Sequence, residues 1–122
     1  IKTYKIKKLH HQLNETMDIT RNAINILKSH KSLDEIGLLM NKAWSIKKTF
    51  SSKVSNSDID DLYNLGIKSG ALGGKILGSG GGGFILFYVP EHLQKNFLLK
   101  LRKLTFIKAN FENIGSSIIL NK

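Results

Sequence analysis

The residues of this sequence best suited to chemistry lie in one stretch, Gly70-Ala-Leu-Gly-Gly-Lys-Ile-Leu-Gly-Ser-Gly-Gly-Gly-Gly-Phe84. It holds eight of the eleven glycines, includes Lys75 and leads straight into the apolar run Phe84–Val89. Glycines gathered at one point mark a backbone that turns sharply or is approached closely. Exposed N–H groups in such a loop suit anions, phosphate above all. Three familiar phosphate loops do not fit. No crossover helix follows the glycines directly and no acid stands where a dinucleotide fingerprint needs one. Lys75 precedes the glycines, and no Gly-Lys-Ser/Thr closes the loop, so it is not a Walker A motif. Asp-Phe-Gly and His-Arg-Asp segments are absent, which excludes protein-kinase logic. Six small residues, Gly78, Ser79, Gly80, Gly81, Gly82 and Gly83, exceed what a hairpin turn requires, although a flexible hairpin is the plain alternative.

Elements that would position this loop are legible on both sides. Ile6, Leu9, Leu13, Met17, Ile24 and Leu27 recur at spacings of three, four or seven, which predicts an amphipathic helix over residues 2–29 with that stripe as its apolar face. His10 and His11 are adjacent on it, about 100° apart, and so are poorly placed to share a metal. No metal site is expected. Ser32-Leu-Asp-Glu35 predicts a capping box opening a second helix, with Leu33, Ile36, Met40, Ala43, Trp44 and Phe50 on its apolar face. Lys47 and Lys48 lie near its end, where positive charge complements the helix dipole. A polar loop over residues 51–57 leads to a third helix, residues 58–69, stopped by Gly70.

After the glycines the period changes. Lys75–Leu77 and Phe84–Val89 read as strands on either side of the loop. Pro90 suits the first position of a fourth helix whose stripe is Leu93, Phe97, Leu98 and Leu101. Thr105–Asn113 alternates again, and Ser116–Leu120 reads as its hairpin partner beyond Gly115. The expected fold is α+β: a small antiparallel sheet of about four strands packed against helices, in a single domain over residues 1–122.

Composition narrows the function classes. The 122 residues are 41% hydrophobic with one proline, ordinary for a globular protein and unlike a disordered one. No apolar run approaches the length of a membrane span, and Ile1–Lys8 lacks the apolar core of a secretory signal, so no membrane partner is expected. Without cysteine there are no disulfides or thiolate metal sites, which suits a reducing cytoplasm. The net charge of +10 permits an anionic partner. Seventeen of the nineteen basic residues are lysine, however, and only Arg21 and Arg102 could offer the forked contacts that readers of phosphate and base edges favour. Phe84, Phe87 and Tyr88 lie in a strand too apolar to be an open stacking face, so nucleic acid is not the expected partner. A basic nucleic-acid-binding domain and a small-molecule regulatory module stand as the alternative functions.

Gly73-Gly-Lys-Ile-Leu-Gly-Ser-Gly-Gly-Gly-Gly-Phe84 resembles the third, C-terminal motif of the GHMP kinases. Leu39–Lys48, Ser52-Lys-Val-Ser-Asn56, Ile59-Asp-Asp-Leu-Tyr63, Gly70–Lys75 and Phe84–Pro90 are similar to the branch acting on D-glycero-D-manno-heptose 7-phosphate. The resemblance extends from about Leu9 to Leu120. It implies a ferredoxin-like C-terminal domain and an ATP- and Mg²⁺-dependent sugar kinase in the cytoplasm. The partner it implies is the chain's own N-terminal kinase domain, with a phosphorylated sugar as substrate. By position, Gly78, Ser79, Gly80, Gly81, Gly82 and Gly83 would support the nucleotide-phosphate loop of that other domain. Lys75 would approach the phosphates or the sugar, or serve only as an edge-strand charge. Trp44 would contact substrate or act as a core aromatic. Lys47 or Lys48 would meet the sugar's own phosphate or remain a solvated helix end. The family's Pro-x-x-x-Gly-Leu-Gly-Ser-Ser loop is absent, since the one proline is Pro90. The acidic base and magnesium ligand belong to the same missing part. No catalytic residue is therefore assigned here, and the isolated chain is expected to be inactive.

Overall fold

The computed structural model describes residues 2–29, 32–78, 83–110, 112, 114–115 and 117. Helix α1 spans Lys2–Lys28, α2 Asp34–Lys48 and α3 Ser57–Ser69. Strands β1 (Gly73–Leu77) and β2 (Phe84–Tyr88) follow, then α4 (Glu91–Lys100). The strands form an antiparallel pair with Gly73 opposite Tyr88 and Leu77 opposite Phe84. The class is α+β, as expected.

Local signals explain most boundaries. α2 has Leu33 as its N-cap, without a side-chain cap; Ser32 Oγ accepts from the Asp34 N–H at 3.2 Å and the Glu35 N–H turns to the Ser32 carbonyl, so the Ser32 side chain does not cap Glu35 as the expected box requires. Asn56 caps α3, its Oδ1 accepting from the Ile59 N–H at 2.9 Å. The helix ends at Gly70, whose φ of 120° suits glycine. Pro90 sits one residue outside α4 as its N-cap. β1 starts two residues before the expected Lys75, because Gly73 and Gly74 join the ladder.

The sheet is smaller than expected: two strands among the described residues instead of about four. Thr105–Asn110 forms no ladder, and Ile107 stands 70% exposed. A strand needs a partner for its N–H and C=O groups. The expected partner Ser116–Leu120 lies, apart from Ser117, outside the described residues, as do Phe111 and Asn113.

Two strands alone are marginal in water, and the helices supply what the hairpin lacks. Trp44 of α2, Tyr63 of α3 and Ile76 of β1 form one buried cluster. Ala71, Phe97 and Leu101 form a second, and Ile67 and Phe87 pack against both. A chain of rings runs through them: Trp44–Tyr63 at 5.8 Å, Tyr63–Phe87 at 5.7 Å, Phe87–Phe97 at 5.6 Å and Phe97–Phe106 at 6.3 Å between centroids. Each such pair adds about 0.5–1.5 kcal/mol beyond area burial. Leu98, expected in the α4 stripe, is 47% exposed, and Phe97 and Leu101 carry that helix's contact.

α2 reaches β1 through a glycine. A Cβ on Gly73 would stand 2.0 Å from the Gly37 carbonyl oxygen and 2.6 Å from the Asn41 nitrogen. The helix backbone thus lies directly on the strand backbone. Nearby, the Tyr63 hydroxyl donates to Asn41 Oδ1 at 3.0 Å and accepts from the Gly74 N–H at 3.1 Å. Tyr88 donates to Asp34 Oδ1 at 3.0 Å, tying β2 to the start of α2.

The stripe expected to bury α1 faces outward. Gln12, Ile19 and Ile26, seven residues apart, are the buried positions, at 7–8% exposure. Gln12 Nε2 donates to both the carbonyl and the hydroxyl of Thr49 at the end of α2. A polar side chain that finds two acceptors is buried at little cost, and here it joins Ile19 and Ile26 on the face of α1 that meets α2.

Candidate functional site

The glycine loop hangs from the far end of the β1–β2 hairpin. Its inner residues Ser79, Gly80, Gly81 and Gly82 lie outside the described residues. Its two stems, Gly78 and Gly83, have φ of 126° and 113°. A side chain at Gly83 would be strained on that account, and its Cβ would lie 2.6 Å from the Leu77 carbonyl oxygen. Both ends of the loop therefore need glycine for backbone reasons, before any ligand is considered.

The base of the loop faces α3. Asn56, Asp58 and Leu62 line one side of a cleft of about 240 Å³, and Ile76, Gly83 and Phe84 line the other. Phe84 is 61% exposed, an unusual place for a large aromatic at the lip of a cleft. The helix end brings its own negative charge. Asp58 and Asp60 sit in its first turn, where they offset the positive end of the dipole. Asp60 receives Lys48 Nζ at 3.2 Å and the Ser55 hydroxyl at 2.9 Å. Both partners of the ion pair are more than a third exposed, so its value is structural tethering of α2 to α3 rather than large stabilisation.

The residues singled out by sequence fall into three environments. Trp44 is 3% exposed and belongs to the core, with its indole N–H buried and, among the described residues, without a hydrogen-bond partner. A buried unpaired donor costs about 1–3 kcal/mol. Lys47 and Lys48 are at the exposed end of α2, Lys48 committed to Asp60. Lys75 is exposed on β1 opposite Leu86. Alternation along the strand puts Lys75 on the face away from Ile76 and Ile85, and so away from the α3 cleft. The structure thus gathers the loop stems, the start of α3 and Lys48 in one region, with Trp44 beneath and Lys75 on the reverse of the hairpin. Asn56 and Asp58 of the cleft were not singled out by sequence. The capping signature of Asn56 was their available signal.

A larger open groove, about 680 Å³, lies elsewhere, between α1 and α2, lined by Asn22, Asn25, Ile26, Glu35, Leu38 and Lys42 among others. It shares no residue with the hairpin. Among the described residues no three of His, Asp and Glu stand together as a metal site. No helix among them is long and apolar enough to cross a membrane.

Comparison with known proteins shows the family. A stretch of 65 residues, 53% of the chain, is 40% identical to the D-glycero-alpha-D-manno-heptose 7-phosphate kinase of Campylobacter jejuni subsp. jejuni serotype O:2 (strain ATCC 700819 / NCTC 11168). The match covers only 19% of that kinase. Residues 10–105, which include α2, α3, the hairpin and α4, match the family model described as GHMP kinases C terminal, and the chain belongs to that family.

Proposed function

We propose that this chain is the C-terminal part of an ATP-dependent sugar kinase that phosphorylates the anomeric hydroxyl of D-glycero-D-manno-heptose 7-phosphate. The observation that carries this reading is the glycine loop between β1 and β2, within a family match spanning α2 to α4. The 40% identity to a heptose 7-phosphate kinase supports the substrate. When bound, ATP supplies the phosphoryl group and Mg²⁺ offsets the charge on its oxygens. In this reading both are held mainly by the N-terminal domain of the same polypeptide.

The residues of this chain act by shaping and charge. Gly78 and Gly83, held at positive φ, set the direction in which the loop leaves the sheet. With Gly80, Gly81 and Gly82, and Ser79 as its one small side chain, it would present mostly bare backbone to the phosphate loop of the other domain, where a larger side chain would hold the two apart. Trp44 supports Ile76 from beneath and positions β1. Lys47 offers a point charge for the sugar's 7-phosphate, beside Lys48. Lys75, on the reverse face, meets ligand only if the N-terminal domain folds round that side.

The test is phosphoryl transfer by the longer polypeptide containing this chain. With Mg²⁺, ATP and heptose 7-phosphate it should yield ADP and a heptose bisphosphate carrying a second, anomeric phosphorus signal in ³¹P NMR. Absence of ATP-dependent phosphorylation of that sugar overturns the reading of substrate. Absence with every sugar tried overturns the reading of activity. The 122-residue chain alone should give no turnover.

A further inference from the structure

The outer face of α1 carries Ile6, Leu9, Leu13, Met17, Ile24 and Leu27, each 46–62% exposed. At 100° per residue these six lie about 120° round the helix from the buried line of Gln12, Ile19 and Ile26. They run for about 30 Å at 1.5 Å per residue. Scattered surface leucines need no explanation, but a stripe of six large apolar side chains, interrupted by Thr20 alone, marks an interaction surface. α1 therefore has two seams, and only one is filled by α2 among the described residues.

We propose that this second seam is the docking surface for a helix from the remainder of the polypeptide. The inference rests on the reading of this chain as part of a longer kinase. Spacings of three, four and seven are those by which one helix packs against another. Length points to the occupant: with 65 residues making 19% of it, the related kinase is about 340 residues long, so most of such a polypeptide lies outside a chain of 122. Charge points away from a second copy. The chain carries a net +10, and Lys2, Lys5, Lys7 and Lys8 lie at one end of the helix that bears the stripe. A parallel pair of α1 helices would align these clusters, and an antiparallel pair would set them against Arg21 and Lys28. The expected occupant is an amphipathic helix of about 20 residues, neutral or acidic where it meets the lysines.

The experiment uses the longer polypeptide. Leu13→Cys and Met17→Cys are treated with a maleimide, and modification at each site is followed by peptide mass. Lys95→Cys on the exposed face of α4 serves as the reference. The proposal expects modification at both stripe positions at least tenfold slower than at the reference, whatever the protein concentration. Equal rates overturn it. So does protection that appears only as concentration rises, which assigns the seam to a second copy. If the cysteine variants do not fold, peroxide oxidation of Met17 in the unaltered polypeptide gives the same answer. Oxidation at least tenfold slower than in the urea-unfolded protein supports docking, and an equal rate overturns it. Sugar phosphorylation is assayed on the same preparation. An active enzyme with an open seam defeats this proposal alone, whereas a protected seam in an inactive protein supports it while defeating the kinase reading.

Discussion

The glycine-rich stretch divides into two regions that use glycine for opposite purposes. Gly73 lies in β1 because α2 leaves no space for a side chain: the Gly37 carbonyl is where its Cβ would be. Gly83 lies at the loop because its backbone turns to φ 113°, which strains any side chain, and because its Cβ would crowd the Leu77 carbonyl of its own hairpin rather than a neighbouring helix. The first region holds two backbones together. The second directs a loop outward. A single composition, eight glycines in fifteen residues, thus combines a packing requirement with a positioning one. Substitutions of the glycines before Ile76 should therefore damage the fold, and those of the glycines after Leu77 should damage the activity.

Gly73→Ala tests the division most severely. Neither Gly37 nor Asn41 can retreat as a flexible side chain would, so α2 must lift from β1. Overpacking costs about 1–3 kcal/mol and can exceed that against backbone. The expected result is a melting temperature lower by about 10 °C or more, or no folded protein, by circular dichroism. A loss under about 2 °C would break the comparison. Gly83→Ala should show the reverse pattern in the longer polypeptide: a loss of about 1–3 kcal/mol from backbone strain at most, with kcat/KM falling about a hundredfold, a misplacement-sized effect.

Tyr63→Phe sharpens the packed side. It deletes one hydroxyl, leaves the Gly74 N–H without its acceptor, and should cost about 1–3 kcal/mol. The phenol also gives a pH signature. Burial pushes the Tyr63 pKa up from its ordinary value, against a smaller downward pull from the Gly74 N–H. The neutral phenol is thus favoured in the folded chain. Its contribution is complete below about pH 10, the unfolded value, and is lost as pH rises through the higher folded value. Denaturant midpoints measured from pH 9 to 11 should fall more steeply in the parent than in Tyr63→Phe. Equal slopes would remove the phenol from the account. Lys75→Ala should be the mildest change, within about 0.5 kcal/mol in stability as befits an exposed strand position. A tenfold rise in KM for the sugar or ATP would show that the reverse face of the hairpin also reaches ligand.

Most elements were legible because their signals are local. Asn56, Gly70 and Pro90 punctuate the chain by side-chain and backbone chemistry that needs no distant partner. The burial of α1 was not legible in the same way. Its 3–4 spacing announced an amphipathic helix, but the face that meets α2 carries Ile19, Ile26 and Gln12, and Gln12 finds its acceptor in Thr49, thirty-seven residues away in sequence. Thr105–Asn110 shows the same limit for strands, since alternation marks an extended segment without supplying its ladder. At the site, the glycines and Lys48 were visible by type. Their relation to Asn56 and Asp58 depends on how α3 meets the hairpin. Trp44 has the type of a ligand platform and the position of a core residue.

The hydrogen bond from the Gly74 N–H to the Tyr63 hydroxyl has a consequence for assembly. A bare strand edge is a template on which other chains can pair and aggregate. On the β1 side that template is interrupted, because the Gly74 donor is occupied by a tyrosine and α2 stands against the strand. The hairpin can therefore recruit further strands in one direction only, outward from β2. A wider sheet would grow from that edge, with β1 as its border.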